Sequence, residues 1–113
     1  MIEKYQYGSM TIQGTRYPSD LIIYPDTIDP HWWREKRNKV SNEDVRDMVA
    51  GHPDYLIIGT GEAGYMDVSP EVREYLQARD IHLLYAPTQQ ASQMYNLIYP
   101  QHHQVIGAFH LTA

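Results

Sequence analysis

The chain has 113 residues, 42% of them hydrophobic and 20% charged, which is ordinary for a folded globular protein and argues against disorder. This length suits one domain, expected to span residues 1–113, and no apolar run approaches the ~20 residues needed to cross a bilayer. A net charge of −5 argues against a globally basic nucleic-acid binder, and the absence of cysteine excludes disulfides, thiolate metal sites and thiol catalysis.

The opening segment, Met1-Ile2-Glu3-Lys4-Tyr5, has neither a signal-peptide core nor an arginine-rich leader, so a cytoplasmic location is expected. Met10-Thr11-Ile12-Gln13 alternates apolar and polar residues, Gly14 supplies a turn, and Arg16-Tyr17 begins the return strand. Leu21–Tyr24 reads as a second strand, ended by Pro25-Asp26; residues 26–30 read as a loop and His31-Trp32-Trp33-Arg34 as a short strand. Ser41 with Asp44 at the third helical position predicts a helix start by a capping-box variant. Val45, Met48 and Val49 form its apolar face, and Gly51 is placed for a left-handed terminal residue. The strand Tyr55–Ile58 then runs into the glycine loop Gly59-Thr60-Gly61.

Ser69-Pro70-Glu71 combines a cap, a proline at the first helical position and a carboxylate at the positive dipole end, so a second helix begins there; Val72, Tyr75 and Leu76 mark its buried stripe. Ile81–Tyr85 is the next strand. Thr88 is expected to cap a third helix, in which Ala91, Met94, Tyr95 and Ile98 follow helical spacing up to the stop at Pro100. Gln104–Leu111 is the last strand. A β-α-β-α-β order favours a largely parallel sheet with the three strands central, under a β-rich N-terminal cap.

Taken together, these segments resemble the Mth938-like domain family of small α/β proteins, most of them uncharacterised. The matching residues are Tyr7-Gly8, Asp20, Leu56-Ile57-Ile58-Gly59-Thr60-Gly61, Thr88, Ala91, Tyr95-Asn96 and His110-Leu111-Thr112, in an order that covers nearly the whole chain. The resemblance implies an α/β three-layer fold around a mixed, mostly parallel five-stranded sheet with one antiparallel strand. It also implies a binding or assembly role, since the family includes a mitochondrial assembly factor for respiratory complex I. The family often ends in a cysteine where this chain has Ala113, a departure that argues against a thiol-dependent role.

In a parallel sheet, the loops after Ile58 and Tyr85 lie at the same edge, where open α/β folds place ligands. Gly59, Thr60, Gly61, Thr88 and Gln89, with Asn96 nearby, are therefore candidate ligand-binding residues for a small anion held by backbone N–H groups. The same glycines also suit a plain tight turn, because the following helix starts only at Ser69-Pro70. His110 paired with Asp20 or Asp54 has the chemistry of a general base, or of a hydrogen-bonded core histidine. His102-His103 is a weak metal candidate; no cofactor or metal is expected from the ligand spacing.

Trp32, Trp33, Arg34 and Arg37 suggest a partner surface, because tryptophan and arginine are enriched at interface hot spots. Arg34, Lys36, Arg37 and Lys39, opposed only by Glu35, give this segment +3 and leave the remainder at −8, which disfavours nucleic acid as the partner. The resulting expectation is a cytoplasmic, non-catalytic binding or assembly module with a protein partner, self-association being a further option and no membrane being involved. The alternative is a small enzyme acting on an anionic metabolite between Gly59–Gly61 and Thr88.

Overall fold

The computed structural model describes residues 1–102 and 104–113, so His103 of the candidate histidine pair lies outside the described residues. Strands β1 (Ile2–Gln6), β2 (Ser9–Ile12) and β3 (Thr15–Tyr17) form an antiparallel three-stranded sheet. They are followed by β4 (Leu21–Ile23), β5 (Ile28–Asp29), β6 (Lys39–Val40), α1 (Asn42–Ala50), β7 (Tyr55–Thr60) and β8 (Asp67–Val68). The chain continues with α2 (Pro70–Gln77), β9 (His82–Ala86), α3 (Thr88–Ile98), a 3-10 turn at Tyr99–Gln101 and β10 (Val105–His110).

The main sheet has the order β5-β4-β10-β7-β9. β10 and β9 both pair parallel with β7, while β4 runs antiparallel to β10 and β5, making it the single reversed strand. The mixed sheet therefore matches the expected architecture. One detail differs: β7 and β10 are central, but the strand expected at Ile81–Tyr85 is an edge, so Leu83 is only partly buried.

Strand alternation divides the core into two layers. Leu56, Ile58, Ile106 and Ala108 face Val45, Met48 and Val49 of α1 and Val72 and Leu76 of α2. Ile57, Val105 and Phe109 face the opposite way, onto Ala91 and Tyr95 of α3 and onto Ile2, Met10 and Ile12 of the hairpin sheet. Every residue of β10 is buried, as a central strand covered on both faces requires.

Local signals explain most helix boundaries. The Asp44 carboxylate accepts the Ser41 N–H at 2.8 Å and its hydroxyl at 3.0 Å, closing the first turn of α1. At the other end Gly51 is right-handed, with φ −79°, and His52 takes the left-handed conformation at φ +48°. The expected left-handed glycine is thus displaced by one position. Ser69 Oγ accepts the Val72 N–H at the start of α2. No ladder forms at His31–Arg34, and the loop expected at residues 26–30 contains the short β5.

Candidate functional site

At the C-terminal edge of the sheet, the expected anion cleft is filled by the protein itself. Thr88 does not cap α3; Pro87 occupies the cap position. The Thr88 side chain is fully buried, accepts the Gly61 N–H at 2.9 Å and donates to the His110 carbonyl, and its own N–H donates to the Gly61 carbonyl at 3.0 Å. The loop N–H expected to hold an anion is therefore occupied by Thr88. A Cβ on Gly59 would stand 2.8 Å from both Phe109 and the Thr88 hydroxyl, so this glycine permits close approach of α3. Gly61 has φ +101°, and a Cβ there would lie 2.6 Å from the Thr112 carbonyl.

Thr60 is buried and Gln89 is exposed. Asn96 is used elsewhere: its Oδ1 accepts the Ile2 N–H at 2.9 Å and its Nδ2 donates to the Ile2 carbonyl at 2.7 Å. That two-point bond fastens β1 to α3 and occupies both ends of the amide. Of the six expected ligand residues, Gly59, Gly61 and Thr88 thus form a closed seam, whereas Gln89 stands exposed and Asn96 is bonded to β1.

Beside the seam lies a charged network. Asp20, just ahead of β4, accepts from Arg34 Nη2 at 2.8 Å and faces His110 Nδ1 at 2.7 Å through the same oxygen. Its other oxygen accepts the Leu111 N–H at 2.7 Å. Burial alone would raise the Asp20 pKa, but bonds from His110, Leu111 and Arg34 outweigh it and hold the carboxyl at about 2. His110 Nε2 is buried and faces no polar partner, and the whole residue is only 1% exposed.

A general base must reach the proton it removes. His110 is buried at 1% exposure with its Nδ1 against Asp20, so this geometry is that of a structural clamp. Asp54, the other candidate partner, is exposed at the opposite end of β7, roughly 20 Å away by strand rise. Among the described residues no three His, Asp or Glu side chains gather as a metal site.

Arg34 is the third member of the clamp, and no local pattern marks it as buried. Its guanidinium lies 4.5 Å over the Trp32 ring and also donates to the Arg37 carbonyl at 3.0 Å. Trp32 is held as firmly: its N–H donates to the Asp20 carbonyl at 2.8 Å and its indole N–H to the Asp44 carbonyl at 3.2 Å. Trp32 and Arg34 are buried at 6% and 9% exposure, which corrects their assignment to a surface. Trp33, between them, is 78% exposed. Arg37 donates to the Thr112 hydroxyl at 2.7 Å, on the exposed side of the same loop.

Two concavities stand out in the rest of the described chain. A groove of about 670 Å³ opens at the other end of the sheet, walled by Tyr17, Tyr24, Tyr95 and Tyr99 with Asp26 at its mouth. A smaller one, of about 290 Å³, lies against Trp33 and α1. No helix among the described residues is long and apolar enough to cross a membrane.

The fold is shared with solved structures of low sequence identity. The conserved hypothetical protein PH1505 of Pyrococcus horikoshii OT3 is similar with a TM-score of 0.84 at 22% identity, over 100% of this chain and 99% of that one. XCC1710 of Xanthomonas campestris gives 0.85 at 19%, over 98% and 83%. A Bordetella pertussis protein described as an Mth938-like domain gives 0.76 at 16%, over 97% and 84%. At such identities the likeness establishes the fold alone. A sequence profile described as "Protein of unknown function (DUF498/DUF598)" matches residues 2–110, nearly the full length. The chain belongs to this DUF498/DUF598 family, whose fold is that of the solved Mth938-like proteins.

Proposed function

We propose that this chain is a non-catalytic binding or assembly module that works in the cytoplasm and meets a protein partner through a surface centred on Trp33. One observation carries the reading: Trp33 is 78% exposed between two neighbours that are buried and bonded to the core. Exposed tryptophan is costly to leave in water, and the immobilised backbone on either side means that little loop entropy is lost when a partner covers it. Tryptophan is also among the residues most enriched at energetic hot spots of protein interfaces. The reading is supported over the enzyme alternative by the Gly61 N–H, which donates to the Thr88 hydroxyl rather than standing open to a ligand. The cytoplasmic setting is part of the same proposal.

The test compares the wild type with Trp33→Ala as baits in a lysate of the source cell, with quantitative mass spectrometry of the captured proteins. Among the described residues Trp33 has no side-chain hydrogen-bond partner, so its truncation should change stability by no more than about 0.5 kcal/mol. Specific partners should disappear from the variant while its melting temperature holds. An unchanged set of captured proteins would overturn the reading. Light scattering of the two purified proteins tests self-association in the same way.

A further inference from the structure

The small groove beside Trp33 has a floor of Ile22, Trp32 and Met48, all buried in the α1-side core. Its volume, about 290 Å³, falls just below the range of small-molecule sites and suits one or two side chains of a larger partner. Trp33 forms one wall. The opposite rim is acidic: Asp29 from β5 and Glu43, Asp44 and Asp47 from the first two turns of α1 line it, against Arg46 and His31. Arg46 is engaged with Glu43 at 3.2 Å, and the Asp44 carboxylate is engaged with Ser41. Asp47 makes no hydrogen bond within the chain's described contacts, and Asp29 uses only Oδ1, accepting the His31 N–H.

The Tyr24 hydroxyl on the groove wall has a raised pKa, first through burial and then through the carboxylates of Asp47 and Asp29. Both rim carboxylates therefore project negative potential into the same concavity. An unpaired negative rim around an apolar floor favours a cation-bearing chain and repels phosphate.

We infer that the Trp33 groove receives a protein segment that inserts one large apolar side chain between Trp33 and α1 and places flanking Lys or Arg side chains on Asp29 and Asp47. This deepens the binding-module reading and rests on it. The basic residues Lys36 and Lys39 line a neighbouring small concavity with Glu35, Ser41 and Asp44, and neither lines the Trp33 groove where Asp29 and Asp47 stand. The acidic rim also argues against RNA stacking on Trp33, because a phosphate backbone tracking past the ring would meet Asp47 and Asp29.

The experiment is selection of a displayed random twelve-residue peptide library on the wild-type protein, with counter-selection on Trp33→Ala. The expected winners carry one large apolar residue and a net positive charge. Binding of the best peptide, followed by the emission shift of Trp33, should weaken with added salt and fall about tenfold in Asp29→Asn/Asp47→Asn. That double variant keeps side-chain shape and the Oδ1 acceptor of Asp29, so its melting temperature serves as the folding control. Acidic or neutral winners, or affinity indifferent to the double variant, would overturn the basic-partner inference even if Trp33→Ala still abolishes capture from lysate. Peptides that bind equally to Trp33→Ala would overturn both this inference and the binding-module reading. Competition by an RNA oligonucleotide with an unselective peptide pool would replace the protein partner with nucleic acid.

Discussion

Removing the charge of Asp20 should destabilise the protein in a pH-dependent way that can be worked from the structure. In the folded chain this carboxyl is held at about 2, against an ordinary value of 3.8. A folded-state pKa below the unfolded one means that the ionised form is stabilised by folding. The contribution is therefore complete above about pH 5 and is lost as pH falls towards 2. A shift of that size corresponds to roughly 2 kcal/mol, and the side chain is only 20% exposed, so solvent screening removes little of it. At pH 7 Asp20→Asn should cost more than this, about 3–5 kcal/mol, because it leaves the guanidinium of Arg34, 3% exposed, without its counter-charge.

The assay is urea denaturation of the wild type and Asp20→Asn at intervals from pH 7 to pH 2. Other carboxylates titrate in both proteins and cancel in the difference. The gap between the two should narrow by roughly 2 kcal/mol across the acid range as wild-type Asp20 takes up its proton. Parallel curves, with a constant gap from pH 7 to pH 2, would refute the argument that the Asp20 charge stabilises the fold. The double variant Asp20→Asn/Arg34→Met should be less destabilised than the sum of its parts, since an apolar replacement removes the stranded charge along with its partner.

Three further outcomes test the rest of the frame. Thr88→Val keeps the shape but orphans the Gly61 N–H and the His110 carbonyl, and should cost about 2–4 kcal/mol in chemical denaturation. Asn96→Leu breaks both bonds to Ile2, so amide exchange should accelerate across β1 while β7 and β10 stay protected. Ile58→Ala, fully buried on the α1 and α2 face of the sheet, should cost roughly 2–5 kcal/mol by the same denaturation assay.

The sheet was legible wherever burial and period agreed. Leu56-Ile57-Ile58 is apolar on both faces because β7 is covered on both, and two helix starts, at Ser41 and Ser69, carry their signals within four residues. β1 was not legible. Its pairing slips between Ile2 and Lys4, so Ile2 and Tyr5, three apart, both turn to the core and the two-residue period disappears. At Trp32-Trp33-Arg34 the alternation of burial is strand-like, yet side-chain bonds to Asp20, Asp44 and Arg37 enforce it without a ladder. His110 and Asp20 were recognisable as a candidate pair. The burial of Arg34 was not, because its counter-charge, Asp20, lies 14 positions away and a guanidinium gives no apolar signal of being inside.

The missed closure of the cleft has a single cause with a functional consequence. In an open α/β fold, the strand ends leave free N–H groups at one edge, and ligands bind by satisfying them. Here the fold satisfies them internally: Thr88 bonds Gly61, the Thr112 carbonyl faces Glu62 N at 3.4 Å, and Gly8 N donates to the Leu111 carbonyl at 2.8 Å. The Tyr5 hydroxyl, its ionisation pushed up by burial and by Glu62, joins the same knot at the Leu111 carbonyl. Asp20 then ties this edge to the Trp32–Arg34 loop through its own carbonyl and both carboxylate oxygens. Backbone groups that an open α/β fold offers to a ligand are thus bonded within the chain, Asp20 joins them to the loop, and the residue of Trp32–Arg34 left in solvent is Trp33. Loosening the knot should therefore weaken partner binding through Trp33 even when Trp33 itself is untouched. Asp20→Asn assayed at a urea concentration well below its unfolding transition provides that comparison: folded but with reduced affinity for a Trp33-dependent peptide. Full affinity in the folded variant would separate the knot from the binding surface.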